Sequence, residues 1–232
     1  MINAVRIDCY GVSNGFRTPL SQSVHDTLPL PTPTQLIGLF GAAAGIPRFR
    51  MPELYSKLDV GIIGTHKTTY QDLTRFVKYR ARGEIKEPIS LLIRENLFHS
   101  EFSIWYLPKE DLSVDQIKKY FLNPRYALSL GRDDEIIRID RVSVVNLRES
   151  ENTTIHDTIV PFHLDPHYER IIDSNDMMIP LVPVELPRSF QVNSKNVRNP
   201  IDFREYTFVE GYKIMTTRSG GFDDNGEQFF PL

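Results

Sequence analysis

Apolar and polar positions alternate at the start of the chain. In "AVRIDCY", Val5, Ile7 and Cys9 alternate with Arg6, Asp8 and Tyr10, which predicts a half-buried first strand. The glycine-rich loop "GVSNGFRTP" and a proline-dotted lead-in follow, and then the period changes. From Pro33 to Ala44, Leu36, Ile37, Leu39, Phe40 and Ala42 to Ala44 surround a helical axis almost completely, so this helix is expected to be buried. Its ends are written in local chemistry: Thr32 as N-cap, Pro33 at the first helical position, Gln35 completing a capping box, then Gly45 and Pro47 as terminators. Gly38, Gly41 and Gly45 share one face, which predicts a close backbone approach by a sheet or, near the N-terminus, a ligand phosphate.

Further on, "LDVGIIGTHKT" (58–68) reads as a second strand. "RFVKYRARGEIKEPISLLIREN" reads as two extended runs about a turn at Arg82–Gly83, and "LFHSEFSIWYL" (97–107) as another strand. "DLSVDQIKKYFLNP" is a short amphipathic helix with Ser113 and Gln116 as a second capping box. "YALSLGRDDEIIRIDRVSVVNL" predicts a strand, a Gly-Arg turn and a longer strand. This order, β-α-β, a hairpin, then β-α-β, fits a ferredoxin-like α+β fold with an inserted hairpin. Past residue 149 the chain is polar and proline-dotted, with strand character returning at "MIPLVPVEL" and "FREYTFVEGYKIM". The expected division is therefore 1–149 as the ferredoxin-like domain, with a hairpin over about 66–96, and 150–232 as a β-rich extension packed on it.

Composition narrows the chemistry. A single cysteine, Cys9, excludes an internal disulfide and a cysteine-based zinc cluster within the chain. No apolar run reaches the length of a membrane span and no leader is evident, so a cytoplasmic location without membrane contact is expected. The formal net charge of −3 hides an uneven distribution. From His66 to Arg94 there are seven Lys/Arg against three Asp/Glu, whereas Glu149 to Asp176 holds seven acids and one arginine. A basic arm on a mildly acidic chain suits nucleic acid along one surface and proteins elsewhere.

Within the arm, strand periodicity places Phe76, Lys78, Arg80 and Arg82 on one face, a surface for phosphates and a base, or else an edge protected by charge. His156, His163 and His167 with Asp157 and Asp165 carry metal-ligand chemistry, but Pro161 and Pro166 prevent one helical face from fixing them, so a solvated acidic loop with no metal is expected. His99 has the titration range of a general base toward a ribose hydroxyl, against the plainer role of a hydrogen-bonded strand residue. No Walker loop, Rossmann fingerprint or His-Glu-x-x-His motif is present.

The strings "FRTP" (16–19), "TLPLPTPTQLIGLFGAAAG" (27–45), "RENLFHSEFSIWYL" (94–107) and "YALSLGRDDE" (126–135) together resemble the fifth family of CRISPR-associated proteins (Cas-five), over roughly residues 1–147. The resemblance implies an RRM-related, repeat-associated (RAMP) fold, with a hairpin thumb and helices on one face of an antiparallel sheet. It also implies a non-catalytic place in a type I antiviral Cascade complex, with the type I-B branch the most similar. Its partners would be the 5′ handle of the CRISPR RNA, a Cas-seven backbone subunit, a Cas-eight large subunit and, indirectly, target DNA, with no cofactor. The RNA contacts it implies are Arg17, then Thr32, Thr34 and Gln35 at the helix start. Lys67, Arg75, Phe76, Lys78, Arg80 and Arg82 would follow in the thumb, and Arg132 in the Gly-Arg turn. One branch of the family cuts precursor RNA with tyrosine, lysine and histidine, in sequence contexts not matched here. The rival classes are thus a metal-independent endoribonuclease and a plain protein-interaction module.

Overall fold

The computed structural model describes residues 1–18, 24–76, 90–109, 111–150, 153–163, 168–171, 181, 183–195 and 197–232. In chain order the elements are β1 (Ile2–Asn14), β2 (Val24–His25), α1 (Pro33–Ala44), a 3-10 helix (Arg48–Leu54), β3 (Leu58–Phe76), β4 (Ser90–Pro108) and α2 (Val114–Leu122). Then follow β5 (Ile137–Ser150), β6 (Thr153–Val160), β7 (Tyr168–Ile171), β8 (Pro183–Val192), β9 (Arg198–Thr216), β10 (Gly221–Asp224) and β11 (Glu227–Phe229). Neighbouring strands run β11-β10-β5-β1-β4-β3-β6-β9-β7, with β2 beside β4 and β8 beside β9. The inner four, β5-β1-β4-β3, are antiparallel, and with α1 and α2 they form the ferredoxin-like α+β unit the periodicity predicts.

Both helices form as their caps dictate. Thr32 and Gln35 exchange side-chain and backbone hydrogen bonds, as do Ser113 and Gln116, and Gly45 closes α1 in the left-handed region at φ 70°. Helix α1 buries Leu36, Ile37, Leu39 and Phe40 in a core with Val5, Ile7, Val60, Ile62, Ile104 and Tyr106 of the sheet and Phe121 of α2. The Tyr106 hydroxyl donates to the Leu36 carbonyl at 2.9 Å, joining sheet to helix. The glycine face differs from expectation. Gly38 has open space where a side chain would lie, and the neighbour of Gly41 is Met51 of the 3-10 helix, not the sheet.

The opposite sheet face is partly covered by β10 and β11. Phe229 stacks on Trp105 with ring centroids 4.4 Å apart, and Trp105 Nε1 donates to Asp224 at 2.8 Å. Arg6 adds contacts to Asp8, Asp224 and Glu227. Sequence patterning does not disclose this hairpin, because its alternation spans only a few residues on each side of the Asn225–Gly226 turn. Strand β6 stands where the sequence predicts polar loop, yet Ile155, Ile159 and Val160 are buried and Thr158 pairs with Ile63 of β3. The expected strand at "YALSL" is absent: residues 126–130 make only the Ser129–Ile136 bridge, while Leu128 and Leu130 plug into the core. No helix among the described residues is long and apolar enough to cross a membrane.

The expected hairpin extends two strands of the sheet. Its described residues belong to β3 and β4, whose register runs from Leu58↔Pro108 to Phe76↔Ser90, and the expected Arg82–Gly83 turn lies outside the described residues. One local irregularity marks where the arm departs. His99 adopts φ 53° in the middle of β4, and the ladders skip it on both sides, opposite Val12 and Lys67. Leu97 and Phe102 both face the core although five residues apart, which strict alternation forbids; the change of face falls at His99, and the register with β1 and β3 is the same on either side of it.

Candidate nucleic-acid interface

Three segments distant in sequence converge at the base of the arm. Beyond β1 the chain passes Gly15 and Phe16, whose N–H donates to Thr27 Oγ1 at 2.8 Å, and Arg17 bridges to Thr27. Strand β2 then lies parallel to β4 with His25 opposite Arg94. From the other side comes the turn at Gly131–Arg132. Gly131 adopts φ 113°, and a Cβ there would approach the Gly15 carbonyl oxygen to 3.0 Å, so only glycine lets the turn abut the end of β1. Asn14 Nδ2 fixes it by donating to the Leu130 carbonyl at 2.8 Å.

These segments enclose a cleft of about 220 Å³ lined by Gly15, Arg17, His25, Asp26, Arg94, Glu95 and Arg132. Arg132 is oriented from behind: Nη2 donates to Asn96 Oδ1 at 2.8 Å and lies 2.6 Å from Glu135 Oε1, while its backbone N–H donates to Glu135 Oε2 at 2.5 Å. Of the two acids in the cleft wall, Glu95 accepts the Thr27 N–H at 3.2 Å. His25 reports the field inside. Its pKa is lowered, first by burial and then by Arg17, Arg94 and Arg132, against a smaller opposing effect of Asp26. The part of this shift that comes from the three arginines is the part that would favour an anion, and guanidinium groups are matched to phosphate oxygens.

Of the residues singled out from sequence, Arg17 and Arg132 meet in this cleft. Sequence reasoning does not find the other two members, Arg94 and His25. His25 sits on a two-residue strand with no periodicity to read, and Arg94, although inside the "RENLF" string, gains its place only from parallel pairing with β2. Lys67 and Arg75 lie along β3, Lys67 exposed, and Phe76 ends that strand opposite Ser90. Lys78, Arg80 and Arg82 lie outside the described residues. Thr32, Thr34 and Gln35 stand together at the start of α1, where they bond chiefly to one another: the Thr32 N–H donates to Gln35 Oε1 at 2.8 Å, the Gln35 N–H to Thr32 Oγ1 at 3.4 Å, and the Thr32 and Thr34 hydroxyls are 3.1 Å apart. The capping box thus consumes donors that a phosphate would otherwise use.

His99, a candidate base by its residue type, is hydrogen-bonded through Nδ1 to the Tyr10 hydroxyl. His156 lies in β6 beside Asp157, Nδ1 to Oδ2 3.1 Å; His167 and Asp165 lie outside the described residues. Among the described residues no group of three His, Cys, Asp or Glu side chains is placed to hold a metal ion.

No family model matches the sequence, and no curated protein matches it. Solved structures do resemble it in fold. A chain of a CRISPR RNA-guided surveillance complex superposes with a TM-score of 0.56 at 19% identity, covering 89% of this chain and 90% of that one. A CRISPR protein from Archaeoglobus fulgidus superposes with a TM-score of 0.56 at 13% identity, covering 98% of each chain. At such identities the likeness establishes the fold: a ferredoxin-like α+β protein, here with a cation-lined cleft where the long hairpin leaves the sheet.

Proposed function

We propose that this protein is a non-catalytic RNA-holding subunit of a CRISPR ribonucleoprotein complex. The observation that carries the reading is the convergence of Arg17, Arg94 and Arg132 around His25 in one cleft, at the root of an arm bearing Lys67 and Arg75. The fold likeness to CRISPR structures and the resemblance to the Cas-five family support it. In its finer form the bound strand is the 5′ handle of a CRISPR RNA in a type I Cascade complex, with Cas-seven and Cas-eight subunits as protein neighbours. Phosphates bind in the cleft and along the arm, and the bases remain free to be read or stacked.

The test is a salt titration of handle RNA binding. For every phosphate that a variant no longer neutralises, the dependence of log affinity on log salt should flatten by about 0.7 on a single strand. Arg17→Ala with Arg94→Ala should show this without cleavage of the RNA in any sample. Unchanged affinity and slope in that double variant would overturn the assignment of the cleft.

A second reading rests on a different observation. His99 holds a Tyr10 hydroxyl bond in a left-handed conformation, and Lys67 occupies the facing position on β3. Those three residue types suit metal-independent cleavage, with histidine taking the proton of a ribose 2′-hydroxyl. Site-specific cutting by the purified chain, lost in His99→Ala, would favour this endoribonuclease over the holding subunit.

A further inference from the structure

The kink at His99 has a second effect, on Phe98. With Leu97 directed to the core, alternation on its arm side places Arg94, Asn96 and Phe98 together on the opposite face. Tyr70 is the cross-strand partner of Asn96, and Ser13 of Phe98, so they share that face. The rings of Tyr70 and Phe98 meet edge to face with centroids 6.0 Å apart, and the two residues are 38% and 36% exposed. Both are held from behind. The Ser13 and Tyr70 hydroxyls are 2.7 Å apart, and His99 packs on Phe98 at 4.1 Å. His99 is in turn tied to Tyr10, whose ring is occupied by the Arg138 guanidinium, 5.0 Å from its centroid, with Arg138 itself paired to Asp140.

A non-glycine residue in the left-handed region inside a long strand is costly, and here its result is an outward phenylalanine beside an exposed tyrosine. The surroundings say what suits this pair. Two residues along β4, Asn96 holds Arg132, and four residues along lies Arg94, both arginines in the cationic cleft. Successive residues on one strand face lie roughly 7 Å apart. The rings therefore adjoin the cationic cleft at a spacing of one to two nucleotides. We infer that Phe98 and Tyr70 form a stacking site for an unpaired base of single-stranded RNA, one nucleotide step from the phosphate cleft. The inference rests on the RNA-holding reading.

The experiment compares two probes: a short single-stranded RNA and the same ribose-phosphate chain made abasic. Wild-type protein should prefer the base-bearing probe by about 5- to 150-fold, the range of one base–aromatic stack. Phe98→Leu, which keeps apolar bulk without a π-face, should erase that preference while leaving affinity for the abasic probe and the salt slope unchanged. Phe98→Trp should restore it. A thermal melt on each variant verifies folding, and Tyr70→Leu repeats the comparison at the neighbouring ring. Equal binding of both probes by wild type overturns the stacking site while the RNA-holding reading stands. A preference that survives both leucine variants likewise overturns it. No binding of either probe removes both conclusions and leaves the ring pair as a protein contact.

Discussion

Arg132 and Asn96 are hydrogen-bonded at 2.8 Å across 36 residues of sequence, and this bond ties the Gly-Arg turn to β4 where the arm leaves the sheet. Asn96 is fully buried, so its amide is not a surface contact that water can replace. Asn96→Leu should lower unfolding stability by about 1.5–3 kcal/mol, the range for hydrogen bonds to charged groups. RNA affinity should fall with it, because Arg132 loses its orientation. Denaturant melts and RNA titrations on the same sample check both; unaltered affinity would mean that the guanidinium needs no such support.

Glu135, behind the same turn, gives a pH signature. Burial pushes its carboxyl above the usual range, outweighing the backbone N–H groups of Arg132 and Gly15 and the Arg132 guanidinium, which pull it down. Between the ordinary and the raised value the folded chain binds the extra proton more readily than the unfolded chain. Stability from this group is therefore present at the acidic end and declines as pH rises through that window. Glu135→Gln should abolish that component. The stability of wild type minus variant should decrease from about pH 4 toward neutrality, the span above the ordinary glutamate value. A difference that rises instead would reverse the assignment.

Helix α1 separates two glycines that look alike in sequence. Gly38→Ala adds a methyl group into open space and should stabilise by about 0.5–1 kcal/mol through helix propensity. At Gly41 a Cβ would press on the end of Met51, with Cε at 2.8 Å. Alanine is tolerable there because the methionine end can turn aside, whereas Gly41→Leu should cost about 1–3 kcal/mol. Met51→Ala should recover part of that loss in a double-mutant cycle. Failure to recover any of it would mean that the clash lies elsewhere.

Trp105 is the single tryptophan, and its ring reports on the β10–β11 hairpin. Phe229→Ala should destabilise by about 3–5 kcal/mol and shift tryptophan emission to the red as water reaches the indole. Emission spectra below the melting transition decide it: an unshifted spectrum would show that the hairpin remains seated without its phenylalanine.

What the sequence discloses follows the range of the interactions. Helix α1 is legible to its last residue because Thr32, Pro33, Gln35 and Gly45 act within a turn of either end. Strands β1, β3 and β4 are legible as alternation, although where β3 and β4 end is not, since pairing carries both past the expected boundaries. The short hairpin of Phe222 and Phe229, and strand β6, depend on faces supplied by distant strands. The cleft divides in the same way. Arg17 and Arg132 stand in strings with a family resemblance, whereas His25 and Arg94 acquire meaning only through the parallel β2–β4 pairing. The glycine face misleads for a related reason: spacing identifies a flat face, but not which neighbour approaches it.

The order of strands also has a kinetic consequence. Strand β1 is flanked by β4 and β5, β5 by β10, and the Leu232 N–H donates to the Val60 carbonyl at 2.8 Å. Several ladders of the sheet therefore close long loops, and loop closure must precede the contacts that reward it. A protein wired in this way should refold slowly for its size, with the strand edges at β5 and β3 open to wrong partners until β10 and β6 arrive to cover them.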